Sequence, residues 1–301
     1  SGSMTGAEIE GLDDLRLAAR VEEVDLFARV SPGQKMRIIA ALQRRGHTVG
    51  FIGDGINDAP AIRAADVGLS VDGATDVARE AADMILTAHD LGVIADGVEE
   101  GRRTFANILK YVRMGTSSNF GNMLSMAAAS LFVPFLPLTP VQILINDLIY
   151  DVSEIGIPFD RVDTEDTAAP HAWDMTALLR FTVIMGALSS LFDGATFAAL
   201  RLVFDASPEV FRTAWFVESM ATQILVIFVI RTGGPFWRQW PHPMLTASSL
   251  GALAVAIGLA LGPAGGVFGF AALGPAIGAT IAGLLIGYLI LAEAVKRTAL
   301  R

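Results

Sequence analysis

Gly53-Asp54-Gly55-Ile56-Asn57-Asp58-Ala59-Pro60 directly follows Val49-Gly50-Phe51-Ile52, a short apolar run that reads as a buried strand. The strand's end thus delivers two carboxylates, four residues apart, on a turn with two glycines. Gly53 and Gly55 let the backbone turn sharply and approach an anion closely. Asp54 and Asp58 can hold a hard, oxygen-liganded ion such as Mg2+, and Asn57 can donate to a phosphoryl oxygen. A Gly-Asp-Gly turn alone is only a turn; the eight-residue run is far more specific.

Working outward, Leu26-Phe27-Ala28 is a candidate strand, and Ser31-Pro32-Gly33-Gln34 opens a helix. Ser31 serves as N-cap, Pro32 takes the first helical position, and Gln34 reaches back as a capping box. That helix stops at Gly46, a C-cap residue. Lys35, inside it, either supplies a positive charge to the same phosphate or lies on a solvated helix face. Val67-Gly68-Leu69-Ser70 and Met84-Ile85-Leu86 read as further strands, with a helix over 75–82 between them. Strands alternating with helices imply a parallel sheet that binds ligands at its carboxyl ends. The candidate catalytic residues are therefore Lys35, Asp54, Asn57 and Asp58, with Mg2+ on Asp54 and Asp58.

The 301 residues are 52% hydrophobic, and the apolar ones cluster beyond about residue 105. A net charge of -9 argues against nucleic acid as a partner. The absence of cysteine removes disulfides and thiolate metal sites. Ser1-Gly2-Ser3 ahead of Met4 reads as an appended scar with Met4 as the native start, so residues 1–4 are set apart. No signal peptide opens the chain, which predicts a cytosolic N-terminal region. From Asp90 a helical pattern runs through Arg102, Arg103, Lys110 and Arg113 into apolar sequence, a stalk able to transmit force. Six spans are predicted over 116–136, 140–157, 178–201, 211–230, 244–262 and 274–295, each approaching the roughly 20 residues that cross a bilayer. Arg161, Arg180, Arg231, Arg238, Lys296 and Arg297 fall on the side of the soluble region, and only Arg201 and Arg212 on the other. Both ends of the bundle's chain are thus expected in the cytoplasm, with the lipid membrane as a partner.

Polar residues inside spans are costly and face a pathway or one another. Asn119 and Asn122 share a face of the first span; Asn146, Asp147, Tyr150, Asp151 and Glu154 recur along one side of the second. Pro134, Pro137 and Pro140 join these two spans tightly, so the polar faces can meet. Oxygen ligands of this kind suit hard cations, and the lack of cysteine disfavours soft metals. Asn119, Asn122, Asn146, Asp147, Asp151 and Glu218 are the candidate ligands of a transported divalent cation, Glu218 with an equally open structural role. Asp193 is read as a hydrogen-bonded link between helices. Trp215, Trp237 and Trp240 are read as interfacial anchors. Gly278, Gly283 and Gly287 are read as close-packing positions, and Asp160 to Asp166 as a solvated loop.

Phe27-Ala28-Arg29-Val30-Ser31-Pro32-Gly33-Gln34-Lys35 together with the 53–60 run resembles the phosphorylation domain of P-type ATPases, a haloacid-dehalogenase-type fold. Ser117-Ser118-Asn119-Phe120-Gly121-Asn122, Asn146-Asp147-Leu148-Ile149-Tyr150-Asp151 and Ile157-Pro158-Phe159-Asp160 are similar to the bacterial magnesium-transporting branch, as are Leu191-Phe192-Asp193 and Trp215-Phe216-Val217-Glu218. The resemblance covers residues 5–301, roughly the last third of a full pump. It implies that Asp54 coordinates catalytic Mg2+, that Asn57 and Asp58 shape its site, and that Lys35 contacts the phosphoryl group. Calcium pumps share the architecture but have Glu where this chain has Asn122 and Thr where it has Tyr150. Asp147 stands where the magnesium branch has Asn.

The family's Asp-Lys-Thr-Gly-Thr run, its nucleotide-binding domain, its Thr-Gly-Glu loop and its first four membrane helices are not found in these residues. The implied organisation is a partial α/β haloacid-dehalogenase-like phosphorylation domain over 5–104, then a stalk and six-helix transmembrane α bundle over 105–301. The implied function is that of the C-terminal part of an ATP-driven magnesium pump, in an inner (plasma) membrane, inactive without its missing N-terminal part. ATP would be used by the full-length parent. A non-catalytic membrane subunit or regulator, or a pump fragment for calcium or protons, is the alternative. A membrane-anchored phosphatase is disfavoured because no Asp-X-Asp pair begins an upstream strand.

Overall fold

Ser31 caps its helix as its sequence demands: Gln34 N–H donates to Ser31 Oγ, and Ser31 N–H donates to Gln34 Oε1 at 2.9 Å. The computed structural model describes residues 2–88, 90 and 92–300, which divide into two compact units, residues 1–96 and 97–301. In the first unit, β1 (Gly2–Thr5), α1 (Gly6–Glu10), α2 (Asp14–Arg20) and β2 (Val24–Ala28) precede α3 (Pro32–Arg44). Then follow β3 (Gly50–Ile52), α4 (Ala59–Ala64), β4 (Val67–Val71), α5 (Asp76–Ala81) and β5 (Met84–Leu86). α3 gives way at Gly46, whose φ of 89° suits glycine.

The predicted strands are present, but they form two small parallel sheets, β1-β2 and β3-β4-β5. β3 is therefore an edge strand among the described residues. Residues 2–4, read from the sequence as scar and start, form β1 with Thr5, and Met4 is buried with Ile9, Leu17, Val21 and Ile38.

The second unit is helical: α6 (Gly92–Phe132), α7 (Pro140–Glu154), α8 (Thr164–Ala168), α9 (Met175–Ala198), α10 (Pro208–Ile230), α11 (Pro243–Leu261) and α12 (Pro275–Leu300). A π-helical turn, Ala199–Val203, extends α9. Among the described residues four helices, α9 to α12, are long and apolar enough to cross a membrane. The first two predicted spans are helical without meeting that standard. α7 has only 15 residues, about 22 Å at 1.5 Å per residue, and α6 carries a polar face. α10 is buried around its whole circumference, packed by α7, α9, α11 and α12, whereas the others keep apolar faces outward. Where α6 crosses α9, a Cβ on Gly186 would lie 2.5 Å from Phe120 Cδ1, so the crossing requires glycine. Gly278 and Gly283 have open space around them; of the three predicted packing glycines only Gly287 meets a neighbour, Phe192 at 3.3 Å.

One end of this unit is fastened by an acid that the sequence reading placed in a solvated loop. Asp160 is fully buried, because the turn after α7 tucks it beneath α6 and the end of α10. Arg231 Nη1 donates to both its oxygens at 3.2 and 2.9 Å, Lys110 Nζ lies 3.2 Å away, and His242 N–H donates to it at 3.2 Å. Arg231 and Lys296, counted above as flanking charges, are thus internal: Lys296 donates to the Val229 and Gly234 carbonyls at 2.9 and 2.6 Å. Replacing one partner of a buried pair strands the other. Asp160→Ala should therefore destabilise the helical unit by about 3–5 kcal/mol, read as a lowered unfolding midpoint in detergent, with Lys110→Met in the same background recovering part of the loss.

Candidate functional site

The acidic loop of the first unit is built around its glycine. A Cβ at Gly53 would fall 2.5 Å from Asp58 Cβ, so the loop folds back on itself in a way only glycine allows. Gly53 N–H donates to Leu69 O at 3.1 Å, and Ser70 Oγ donates to Gly53 O at 2.9 Å, anchoring the loop on β4. Thr75 N–H donates to Asp54 O at 3.0 Å and fixes the next residue.

Of the four predicted residues, the structure pairs two: Lys35 Nζ lies 2.5 Å from Asp58 Oδ1, and Gly55 N–H donates to Asp58 Oδ2 at 3.3 Å. Partial burial pushes the Asp58 carboxyl up, but the Lys35 ammonium and the Gly55 N–H outweigh it and hold it below the usual carboxylate range. Asp54 and Asn57 are exposed, and the Asp54 carboxylate is bonded to nothing among the described residues. The chain therefore offers one open carboxylate beside one already engaged by lysine.

The second site lies between α6, α7 and α10. Asn119, Asn122, Asn146, Asp147 and Asp151 all line one cavity of about 680 Å³, with Tyr150, Trp215 and Ser219. Asn119, Asp147 and Asp151 present their side chains openly to it, whereas Asn146 is buried and neither its oxygen nor its nitrogen has a partner. Asn122 Oδ1 accepts from Ser219 Oγ at 3.2 Å and Gln223 Nε2 at 3.3 Å, which ties α6 to α10. Among the described residues no cluster of three or more histidine, aspartate or glutamate side chains could hold a metal. The donor set is amides with two carboxylates.

Glu218 is the sixth predicted ligand, and the structure places it elsewhere. Ser219 and Trp215 are four residues apart and face the cavity; Glu218, one residue off that row, turns away. It is 1% exposed and sits beside Asp193 instead. Asp193 does link helices, accepting from Ser125 Oγ of α6 at 2.6 Å and Trp215 Nε1 of α10 at 2.7 Å. Trp215 is accordingly a buried cavity wall and not an interfacial anchor; Trp237 and Trp240 are exposed. Gln223, read from the sequence with Glu218 as a residue able to line the site, reaches it as a partner of Asn122; Ser219 was missed, although its four-residue spacing from Gln223 on a helix was a usable signal.

Four apolar helices of crossing length are those of a membrane-embedded protein. The profile of the family described as "Cation transporting ATPase, C-terminus" matches residues 135–298, and the chain belongs to that family. It is 47% identical over 299 residues to the magnesium-transporting ATPase, P-type 1, of Salmonella typhimurium (strain 14028s / SGSC 2262), covering 97% of this chain and 33% of that protein. The Escherichia coli K12 protein of the same name is 46% identical over 299 residues, with the same coverage. The probable cation-transporting ATPase F of Mycobacterium tuberculosis H37Rv is 45% identical over 142 residues, 47% of this chain and 16% of that one. The chain thus spans about a third of the length of the magnesium-transporting relatives.

A depressed carboxyl contributes stability that is present above its unfolded value and lost as pH falls through the folded one. Asp58 should therefore titrate below the usual carboxylate range in carbon-detected NMR of the chain in nanodiscs, and Lys35→Met should move its midpoint upward. Gly53→Ala should break the loop by overpacking, a loss of about 1–3 kcal/mol, seen as faster amide exchange over residues 53–58.

Proposed function

We propose that this chain is the C-terminal portion of an ATP-driven magnesium transporter of the P type, with the cavity between α6, α7 and α10 holding the transported cation. What carries the reading is that five oxygen-bearing side chains chosen from sequence converge on one cavity. A volume near 680 Å³ far exceeds a bare ion. It leaves room for retained hydration water at about 30 Å³ per molecule, which suits Mg2+, an ion that dehydrates reluctantly. Asp147 and Asp151 supply the charge and the three asparagines the orientation. Magnesium is favoured over calcium because an amide, Asn122, stands where the calcium pumps have a carboxylate. In this reading α6 and α7 also cross the bilayer, giving six spans, their polar faces turned to the cavity.

The first unit we read as part of a haloacid-dehalogenase-type phosphorylation domain on the cytoplasmic side of a plasma membrane, with the C-terminus on the same side. Its loop fits a catalytic Mg2+ in part: the Asp54 carboxylate is open, and the close packing of Gly53 on Asp58 sets the second carboxylate beside it. Asp54 would hold that ion, Asp58 would position Lys35, and Asn57 would donate to the phosphoryl group. Bound there, Mg2+ supplies neutralising charge for phosphoryl transfer. The free edge of β3 is a template for the strand that bears the phosphoryl acceptor. These residues include no Asp-Lys-Thr-Gly-Thr run, so the chain by itself is expected not to hydrolyse ATP.

Co-expression with a polypeptide supplying the acceptor strand, the nucleotide domain and the first membrane helices should yield Mg2+-stimulated ATP hydrolysis. Asp151→Asn should abolish that stimulation. Hydrolysis by this chain alone would contradict the reading. A stable complex that never hydrolyses ATP would favour a non-catalytic subunit.

A further inference from the structure

Glu154, on the last turn of α7, is used by neither site. It is 3% exposed, and its Oε1 has no hydrogen-bond partner. It lies one helical turn beyond Asp151, about 4.5 Å along the axis, toward the end of the bundle that carries Asp160, Lys110 and Arg231. Tyr150 touches both the cavity and Glu154: it lines the cavity, and its hydroxyl is 2.9 Å from Ser118 Oγ of α6 and adjacent to the Glu154 carboxylate. On the far side, Gly115 of α6 faces Glu154, leaving 3.8 Å between a Cβ built there and Oε2. The next residue, Met114, lines a second cavity of about 300 Å³, walled by Lys110, Arg113, Asp163 and Asp166. Cavity, Tyr150 hydroxyl and Glu154 thus follow one another along the α6–α7 seam, and the polar cleft begins on α6 at Met114, next to Gly115.

We propose that Glu154 is the next station of the transported cation, a buried carboxylate that receives the ion between the intramembrane cavity and the polar cleft, with Tyr150 as the gate between them. This rests on the cavity being the cation site. A buried carboxylate oxygen without a donor is expensive. A purely structural acid at this depth would be expected to have both oxygens satisfied, as Asp193 and Asp160 do. Glu154 has instead an oxygen free to ligate a passing ion. The small Gly115 opposite leaves the path uncrowded.

The chain contains no cysteine, so single cysteines can be placed without background. Gly115→Cys, beside Glu154, and Met126→Cys, on the cavity wall, each keep every proposed ligand. Each is reconstituted in proteoliposomes and treated with a membrane-impermeant cationic thiol reagent, with and without Mg2+. Both positions should react, and should slow about tenfold when Mg2+ exceeds its dissociation constant about tenfold. Adding Glu154→Gln to Gly115→Cys should remove the protection at 115 and leave that at 126, and adding Tyr150→Ala should raise the unprotected rate at 115. Protection at 126 with none at 115, or protection at 115 that survives Glu154→Gln, overturns the proposal and leaves the cavity reading standing. Protection at 115 with none at 126 overturns the cavity reading instead.

Discussion

A polar group held at lipid depth has to find a partner within the protein, because no water is there to supply one. The helical unit is organised by that constraint. Asp193 draws Ser125 of α6 and Trp215 of α10 onto α9. Asp160 gathers Lys110, Arg231 and the backbone before α11. Lys296 closes α12 onto the end of α10. Each such group is satisfied more than once and bonds between elements, Lys296 pairing within α12 with Glu293 as well. Together they fix a bundle whose outward faces are merely apolar and so specify little.

Against that background, the unsatisfied groups stand apart. Asn146 is buried with neither end of its amide bonded, and Asp147 and Asp151 turn their carboxylates to open space along the same cavity. An unpaired buried amide costs about 1–3 kcal/mol, a loss the fold has no structural reason to carry. Binding a hard cation would satisfy these oxygens together. The acidic loop of the first unit has the same character on a smaller scale: Asp58 is engaged by Lys35, while Asp54 is left open.

Legibility in the sequence followed the strength of the local signal. Ser31-Pro32-Gly33-Gln34 named its helix start to the residue because capping is a local interaction. Five of the six predicted ligands line the cavity because α6 and α7 are amphipathic in polarity, so spacing alone gives their face. α10 defeated that logic. Buried on all sides, it has no polar contrast by which to orient Glu218, and Trp215 was misread for the same reason. Asp160 was taken for a loop acid because its partners are 50 and 71 residues distant in sequence, beyond any local pattern. β1 went unseen because Gly2–Thr5 has no strand-like composition of its own; its pairing with β2 is tertiary.

The central claim is that the unpaired oxygens bordering the cavity, and not the fully bonded ones of Asp193 and Asp160, mark the cation's position. The most direct measurement is a structure of the chain in lipid with Mn2+ as an electron-rich substitute for Mg2+. The account predicts density in the cavity bounded by Asn119, Asn146, Asp147 and Asp151, lost in Asp151→Asn. Density at the fully bonded Asp193 or Asp160 instead, with the cavity empty, would contradict it.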